Sequence, residues 1–328
     1  MEIGSGPLRI QVVSDGRAGM ENQALGLAEA IARLTPSAID IRRVKWQPAF
    51  DWLPVGLKAP WMLASETPFP ANGETWPDLW ISTGRASLPL SLAARRLSGG
   101  RTFVVQTQNP RLDPALFDLI VAPAHDGLTG ANVVAITGSP HRITPQVLAE
   151  AAPAFADRLE PLPRPRVAVM IGGRSGAFDL TPTHAGALAE QISKAVRAVG
   201  GSVMLTFSRR TPEAARSAMT EGLAGVPGWI WDGTGPNPLF AFLSVADHVL
   251  VTEDSANMAA EAAATGKPVH VLPMIARKAP GKFARLQADL TARGVTRPFD
   301  GTLPDWLYTP LTETGRAAQA VLAAMGRG

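Results

Sequence analysis

The sequence predicts an α/β protein built from two Rossmann-like domains. Three observations point there. Short apolar runs of strand length alternate with helical stretches along the whole chain. The alternation stops at a cluster of prolines (Pro153, Pro161, Pro163, Pro165) and then resumes. The 328 residues suit two domains at the usual ~100–200 residues each.

In the first half the strand segments are residues 9–13 (RIQVV), 39–44, 79–82 (LWIS), 102–106 (TFVVQ), 119–122 (LIVA) and 133–136, with helices over 21–34 and 86–97. In the second half they are 167–171 (VAVMI), 202–207, 229–231, 248–252 (HVLVT) and 268–272 (PVHVL). Helices are expected over 182–199, 212–223, 238–246, 255–265, 282–293 and 312–325. Strands apolar on both faces belong to parallel sheets covered by helices, the doubly wound arrangement. Proline lacks an N–H and cannot continue a helix. Residues 153–165 therefore read as a linker between a first domain, 1–152, and a second, 166–311, with a terminal helix in 312–328 free to cross back to the first. Ligands of such sheets bind beyond the carboxyl ends of the strands. The two domains are expected to face each other across a cleft.

Composition narrows the function. Hydrophobic residues make up 46% and charged residues 18%, which is the balance of folded domains. No apolar run reaches the ~18 residues of a membrane span. The start, MEIGSGPLRI, has no basic stretch followed by an apolar one, so the cytoplasm is the expected location. Cysteine is absent, which removes disulfides, thiolate metal sites and cysteine nucleophiles. Net charge is +3, and arginine (25) far outnumbers lysine (6). No basic run or aromatic stacking pattern points to nucleic acid.

Residues 47–76 interrupt the alternation. They hold Trp52, Trp61 and Trp76, with Trp46 just before, and five prolines. The plain reading is a loop whose tryptophans pack on the domain. The functional reading is a peripheral contact with a membrane, such as the inner membrane, where tryptophan prefers the interface.

The strongest chemical pattern is ADHVLVTEDSANMAAEAAATGKPVHVLP, residues 246–273. A strand ends in Glu253, Asp254 and Ser255, good helix-capping types. An alanine-rich helix follows and stops at Gly266. A helix start offers N–H groups and the positive end of the helix dipole, which suits a phosphate. Met258 and Glu261 share one face, and a carboxylate there can accept from two ribose hydroxyls. Other loops repeat the theme. Gly172, Gly173, Arg174 and Ser175 follow a strand, and glycines let backbone N–H groups approach a phosphate. Ser208, Arg209 and Arg210 end the next strand, where arginine can neutralise a leaving diphosphate. No D-x-D sequence ends a strand and no metal-ligand spacing appears, so metal-independent chemistry is expected.

In the first domain, Asp15, Gly16 and Arg17 follow the first strand and lead to Asn22 and Gln23. Gly84 and Arg85 end another strand. The full G-x-G-x-x-G of a dinucleotide fold is missing, which argues against hydride transfer. His125 beside Asp126 is the best general-base candidate, followed by Asp15. His141 lies in a similar loop. His248 and His270 flank buried strands and read as packing residues.

The residues 246–273 pattern resembles the donor-nucleotide motif of glycosyltransferase-B enzymes, in which E-A-x-x-x-G-K-P closes the helix. Here that is Glu261-Ala262 and Gly266-Lys267-Pro268. The resemblance implies Glu261 on the ribose and Ser255, Ala256 and Asn257 at the diphosphate. With SDGRAGMENQALGLAEA (14–30), QTQNPRLDPALFDLIVAPAHD (106–126), IGGRSGAF (171–178), TFSRRTP (206–212) and TEDSANMAAEA (252–262), nearly the whole chain resembles the elongated-mitochondria, or mitochondrial fission, family of plants and bacteria. Plant members are implicated in recruiting a dynamin-related protein, and some relatives carry a nucleoside-diphosphate-sugar epimerase label. The resemblance leaves three readings open. The first is a glycosyltransferase-like enzyme with a nucleotide-sugar co-substrate, no separate cofactor and a lipid-linked or envelope glycan acceptor. The others are an epimerase and a scaffold that recruits a partner.

Overall fold

The structure, a computed structural model, describes residues 6–64, 69, 75–279 and 281–327. It forms two compact units: Met1–Arg142 with Thr312–Gly328, and Ile143–Leu311. The expected linker is not a bare connection. Residues 145–151 and 156–159 are helical and lie in the second unit, because Leu148 and Leu159 bury in its core.

The first unit holds a six-stranded sheet. Its strands are β1 (Leu8–Ser14), β2 (Ser37–Arg43), β3 (Leu79–Thr83), β4 (Phe103–Thr107), β5 (Leu119–Pro123) and β6 (Val133–Ile136). The order is β2-β1-β3-β4-β5-β6 and every pair is parallel. Successive strand residues point to opposite faces, so each strand feeds two cores. Val12, Ile81, Val105 and Val121 meet α1 (Ala18–Ala32). Val13, Trp80, Val104 and Ile120 meet the opposite layer, which includes Trp46 and Met62. α1 begins three residues before the expected Glu21, because the Arg17 carbonyl accepts from the N–H groups of Met20 and Glu21.

The tryptophan-rich insertion divides between the two readings of it. Trp46 is buried and donates its indole N–H to the Ala86 carbonyl at 3.0 Å. Trp52, which closes the short helix α2 (Pro48–Asp51), and Trp61, within the turns that follow it, are exposed. Residues 65–68 and 70–74 lie outside the described residues. Along the same layer runs α3 (Leu88–Leu97).

The second unit opens with α4 (Pro145–Ala151) and α5 (Ala156–Leu159). Its strands are β7 (Arg166–Ile171), β8 (Phe178–Asp179), β9 (Ser202–Phe207), β10 (Gly228–Ile230), β11 (His248–Thr252), β12 (Val269–Leu272), β13 (Ile275–Ala276) and β14 (Thr296–Pro298). Its helices are α6 (Pro182–Ala198), α7 (Glu213–Gly222), α8 (Leu239–Val245), α9 (Ala256–Ala263) and α10 (Lys282–Ala292). The main sheet runs β10-β9-β7-β11-β12-β14, all parallel. In chain order of its own strands this is 3-2-1-4-5-6, a recurrent order of six-stranded doubly wound sheets. β14, which the sequence does not predict, sits at the edge, where Pro298 costs no ladder bond. β8 and β13 form a separate antiparallel pair.

α11 (Glu313–Ala324) belongs to the first unit, burying Ala317, Ala318, Val321 and Leu322 against the α1 side of the sheet. Glu313 and Thr314 accept from the backbone N–H groups of Thr137 (3.0 Å) and His141 (3.2 Å). Among the described residues no helix is long and apolar enough to cross a membrane.

Gly26 shows how close the packing is. A Cβ there would lie 2.4 Å from the His141 carbonyl carbon, a backbone atom with little freedom to move. Gly26→Ala is expected to cost about 1–3 kcal/mol of stability by overpacking, read from urea unfolding. An unchanged midpoint would refute the close approach of α1 to residues 141–142.

Candidate functional site

Each main sheet reverses its strand order once, between β1 and β3 in the first unit and between β7 and β11 in the second. Loops leave in opposite directions at such a point and open a crevice beyond the carboxyl ends. Most of the candidate residues gather at these two places.

At the second unit's switch point the hub is Asp254. Its side chain is fully buried. It accepts from the Gly173 N–H at 3.1 Å, the Thr252 hydroxyl at 2.7 Å and the Arg210 guanidinium at 2.8 Å. Thr252 in turn accepts from the Gly172 N–H at 2.8 Å. Thr211 donates to the Gly172 carbonyl, and Arg174 N–H donates to the Arg210 carbonyl at 3.1 Å. The glycines are required by contact. A Cβ on Gly172 would lie 1.9 Å from the Asp254 carboxylate, and one on Gly173 would lie 2.2 Å from the Arg210 carbonyl. This corrects the expected phosphate cradle. The N–H groups of Gly172, Gly173, Arg174 and Ser175 all donate within the protein, the last to Phe178. Asp254 likewise serves the loop rather than an external ligand.

Cationic side chains remain available at the surface of this hub. Arg174 is exposed and only 4.0 Å ion-paired to Asp179. Arg209 is exposed and, among the described residues, has no side-chain partner. Arg210 is 40% exposed although held by Asp254. Ser208 accepts from the Arg210 N–H at 3.1 Å, which shapes this turn. Two further cations escape the sequence reading. Arg277 donates to the Ser175 carbonyl at 3.2 Å, and the Lys278 ammonium lies 3.8 Å from where a Gly176 Cβ would stand. They arrive on β13, whose pairing with β8 has no sequence signal of its own.

α9 starts beside the hub. Ser255 caps it, accepting from the Met258 N–H at 3.3 Å. Asn257 lies in its first turn, and Met258 packs on the core beneath. Glu261 stands six residues past the cap, about 9 Å along the axis. It is 7% exposed, and among the described residues its carboxylate has no hydrogen-bond or ion-pair partner. Burial alone pushes it up to about 7 from an ordinary 4.5. Lys267, from the same motif, is structural: it donates to the Ser244 carbonyl at 2.6 Å and to that of Leu243, and burial lowers it to about 8. His248 and His270 pack as expected. Burial, with His248 nearby, lowers His270 to about 4, and its ring lies 4.9 Å from that of Trp306.

At the first unit's switch point, Ser14 donates to Glu21 at 2.8 Å and accepts from the Gly16 N–H at 3.1 Å. Arg43 forks onto Glu21 at 2.9 Å through two nitrogens, and this bond holds Glu21 below its usual range. Asp15 accepts from the Arg17 N–H at 3.1 Å and pairs with its guanidinium at 3.2 Å. Gly84, at φ +78°, brings its loop to Asp15 and Met20. A Cβ there would be 3.9 Å from the Asp15 carboxylate and 3.0 Å from the Met20 methyl. Gln23 is buried and accepts from Gln108 at 2.9 Å. Asn22 is half-buried on α1 and Arg85 is exposed. Asp15, Gly16, Arg17, Gly84 and Gln23 thus gather at one place. His125 and Asp126 do not join them. They follow β5, three strands from β1, about 14 Å along the edge at the usual spacing. His125 is buried there.

Residues 18–325 match the family described as "Mitochondrial fission ELM1". The chain belongs to this family. The ELM1 relative from Arabidopsis thaliana, Mitochondrial fission protein ELM1, is 34% identical over 284 residues, which is 76% of this chain and 65% of the plant protein. The uncharacterized protein RP120 of Rickettsia prowazekii (strain Madrid E) is 23% identical over 97% of this chain and 99% of its own. Among solved structures, the UDP-GlcNAc 2-epimerase of Methanocaldococcus jannaschii aligns with a TM-score of 0.58 at 12% identity, covering 98% of this chain and all of that one. The UDP-N-acetylglucosamine 2-epimerase of Rickettsia bellii aligns with a TM-score of 0.51 at 12% identity, covering 97% and 96%. This ELM1-family chain therefore has the glycosyltransferase-B type of fold, shared by glycosyltransferases and these epimerases.

Two outcomes test the site's electrostatics. Asp254→Ala strands the partners of a buried carboxylate and is expected to cost on the order of 1–3 kcal/mol, measured by denaturant unfolding. Glu261 has the opposite character. Its folded value of about 7 exceeds the ordinary 4.5, so the unfolded chain releases the proton first. Wild-type stability then falls as pH rises through that window and levels off above it. The melting temperature of Glu261→Gln should gain on wild type between about pH 5 and about pH 8. A gap independent of pH would show that Glu261 is not a buried acid.

Proposed function

We propose that this chain is a nucleotide-sugar-dependent enzyme of glycosyltransferase type. The second unit takes the nucleotide-sugar at its β7/β11 switch point, and the first takes the acceptor at β1/β3. The observation that carries the reading is Glu261, a buried carboxylate that meets no partner among the described residues. Such a group costs stability unless a ligand satisfies it. A ribose diol offers two O–H donors to its two oxygens. The diphosphate then lies toward the start of α9, within reach of Arg174, Arg209 and Arg210. The nucleotide-sugar is a co-substrate, and no separate cofactor is invoked.

In the proposed reaction an acceptor hydroxyl attacks the sugar's anomeric carbon and loses its proton to a carboxylate or imidazole. The bond from that carbon to the diphosphate oxygen breaks, and its electron pair leaves with the nucleoside diphosphate. The arginines stabilise that charge as it develops. Asp15 is the base we favour, because it shares the switch point with Gly16, Gly84 and Gln23. His125 with Asp126 is the alternative. The acceptor we propose is a lipid-linked or envelope glycan, which sets the work at the cytoplasmic face of a membrane.

The M. jannaschii epimerase has been crystallised with UDP-GlcNAc and UDP, so uridine ligands are the first to titrate, followed by GDP and CMP. Isothermal titration should show binding by wild type. Glu261→Ala should weaken it by about 10- to 100-fold, the ~1.5–3 kcal/mol of a charged hydrogen bond. The bound form needs the ionised carboxylate, so wild-type affinity should fall as pH drops below about 7. Unchanged affinity in the variant would reject the donor site. No binding by either protein would favour a scaffold that recruits a partner.

A further inference from the structure

The first unit carries an apolar surface that its described residues leave uncovered. Trp52, Leu57 and Trp61 are 77%, 64% and 68% exposed. The two indoles are fixed rather than loose. Trp52 donates its N–H to the Ala49 carbonyl at 2.8 Å, and Trp61 leans edge-on against Phe50 at 5.3 Å. Two anchored tryptophans nine residues apart and open to solvent are unusual on a surface that meets only water.

A groove of about 780 Å³ runs beside them, between the insertion and α3. On α3 its wall is Pro89, Leu92, Ala93 and Arg96, spaced as one helical face. Among the described residues its lining carries Lys58, Arg95, Arg96 and Asp118. Two of the cations are already paired, Arg95 with Asp118 at 2.9 Å and Lys58 with the nearby Asp51 carboxylate at 3.5 Å. Arg96 is exposed and, among the described residues, its guanidinium has no partner. Lys58 is spent within the insertion, donating to the Asp51 carbonyl at 2.8 Å and lying 4.9 Å from the Trp46 ring centre, which leaves Arg96 as the groove's available cation among the described residues.

We propose that this face seats the protein on an anionic lipid bilayer. Trp52, Leu57 and Trp61 enter the interfacial layer, where aromatic and aliphatic side chains gain most. The exposed Arg96 guanidinium meets phosphate headgroups and adds attraction near the charged surface. The proposal goes beyond the nucleotide-sugar reading and does not rest on it, since none of these residues belongs to the second unit.

Co-sedimentation of the full chain tests it, with phosphatidylcholine vesicles and with phosphatidylcholine vesicles containing phosphatidylglycerol. The protein should pellet with the anionic vesicles, release as salt rises, and shift its tryptophan emission to the blue. Arg96→Ala should weaken binding about fivefold, and Trp52→Ser with Trp61→Ser by more than about tenfold. All three side chains are exposed, so thermal melts should match wild type. Should the double variant melt early, Arg96→Ala alone decides. Wild type left in the supernatant overturns the proposal, and so does pelleting that the variants or neutral vesicles leave unchanged.

Discussion

The carboxylate of Asp254 ties three segments of the second unit together. It takes the Gly173 N–H from the β7 loop, the Thr252 hydroxyl from the end of β11 and the Arg210 guanidinium from the β9 loop. Three donors on one buried carboxylate satisfy its oxygens, the condition under which a buried polar group is tolerated. The arrangement fixes what surrounds it. Residue 172 has to be glycine, and Arg210 is held with part of its guanidinium still exposed. The site is rigid because the loop is anchored from inside, which leaves side chains rather than backbone N–H groups to meet a ligand.

A parallel sheet covered on both faces leaves polar chemistry few places to stand. In the first unit one set of buried polar residues satisfies itself. Trp80 donates to Ser91 at 3.1 Å, Ser91 to Ser82 at 2.8 Å and Ser82 to the Gln106 side-chain amide oxygen at 2.6 Å. Such a connected network adds specificity only when each member is bonded. Glu261 in the second unit differs. It sits among alanines, and among the described residues no hydrogen-bond or ion-pair partner meets its carboxylate.

Much of this was legible in the sequence because burial writes itself into composition. RIQVV, LWIS, VAVMI and HVLVT each lie within the strands they predict. The cap at Ser255 and the stop at Gly266 (φ +75°) follow from residue type alone. Through-space choices were not legible. Asp254 and the loop N–H groups read as ligand contacts, yet they select each other, and no spacing rule says which partner a polar group takes. The β8–β13 pair and β14 are too short for a period to show, so Arg277 and Lys278 went unseen. α4 went unread ahead of Pro153, and α5 was hidden among the prolines at 153, 161, 163 and 165, which look like a linker although these helices bury Leu148 and Leu159.

The path of the chain has a consequence for biosynthesis. The second unit, Ile143–Leu311, is continuous, whereas the first needs α11 from beyond it. On the ribosome β1 to β6 emerge early but lack the helix that covers Ala28, Ile31 and their neighbours on one face of the sheet. At ordinary synthesis rates the intervening stretch takes on the order of ten to thirty seconds. For that interval the nascent first unit displays an apolar stripe while the second can close by itself. The protein's dependence on holdase chaperones would therefore be set by its first unit, even though that unit is translated first.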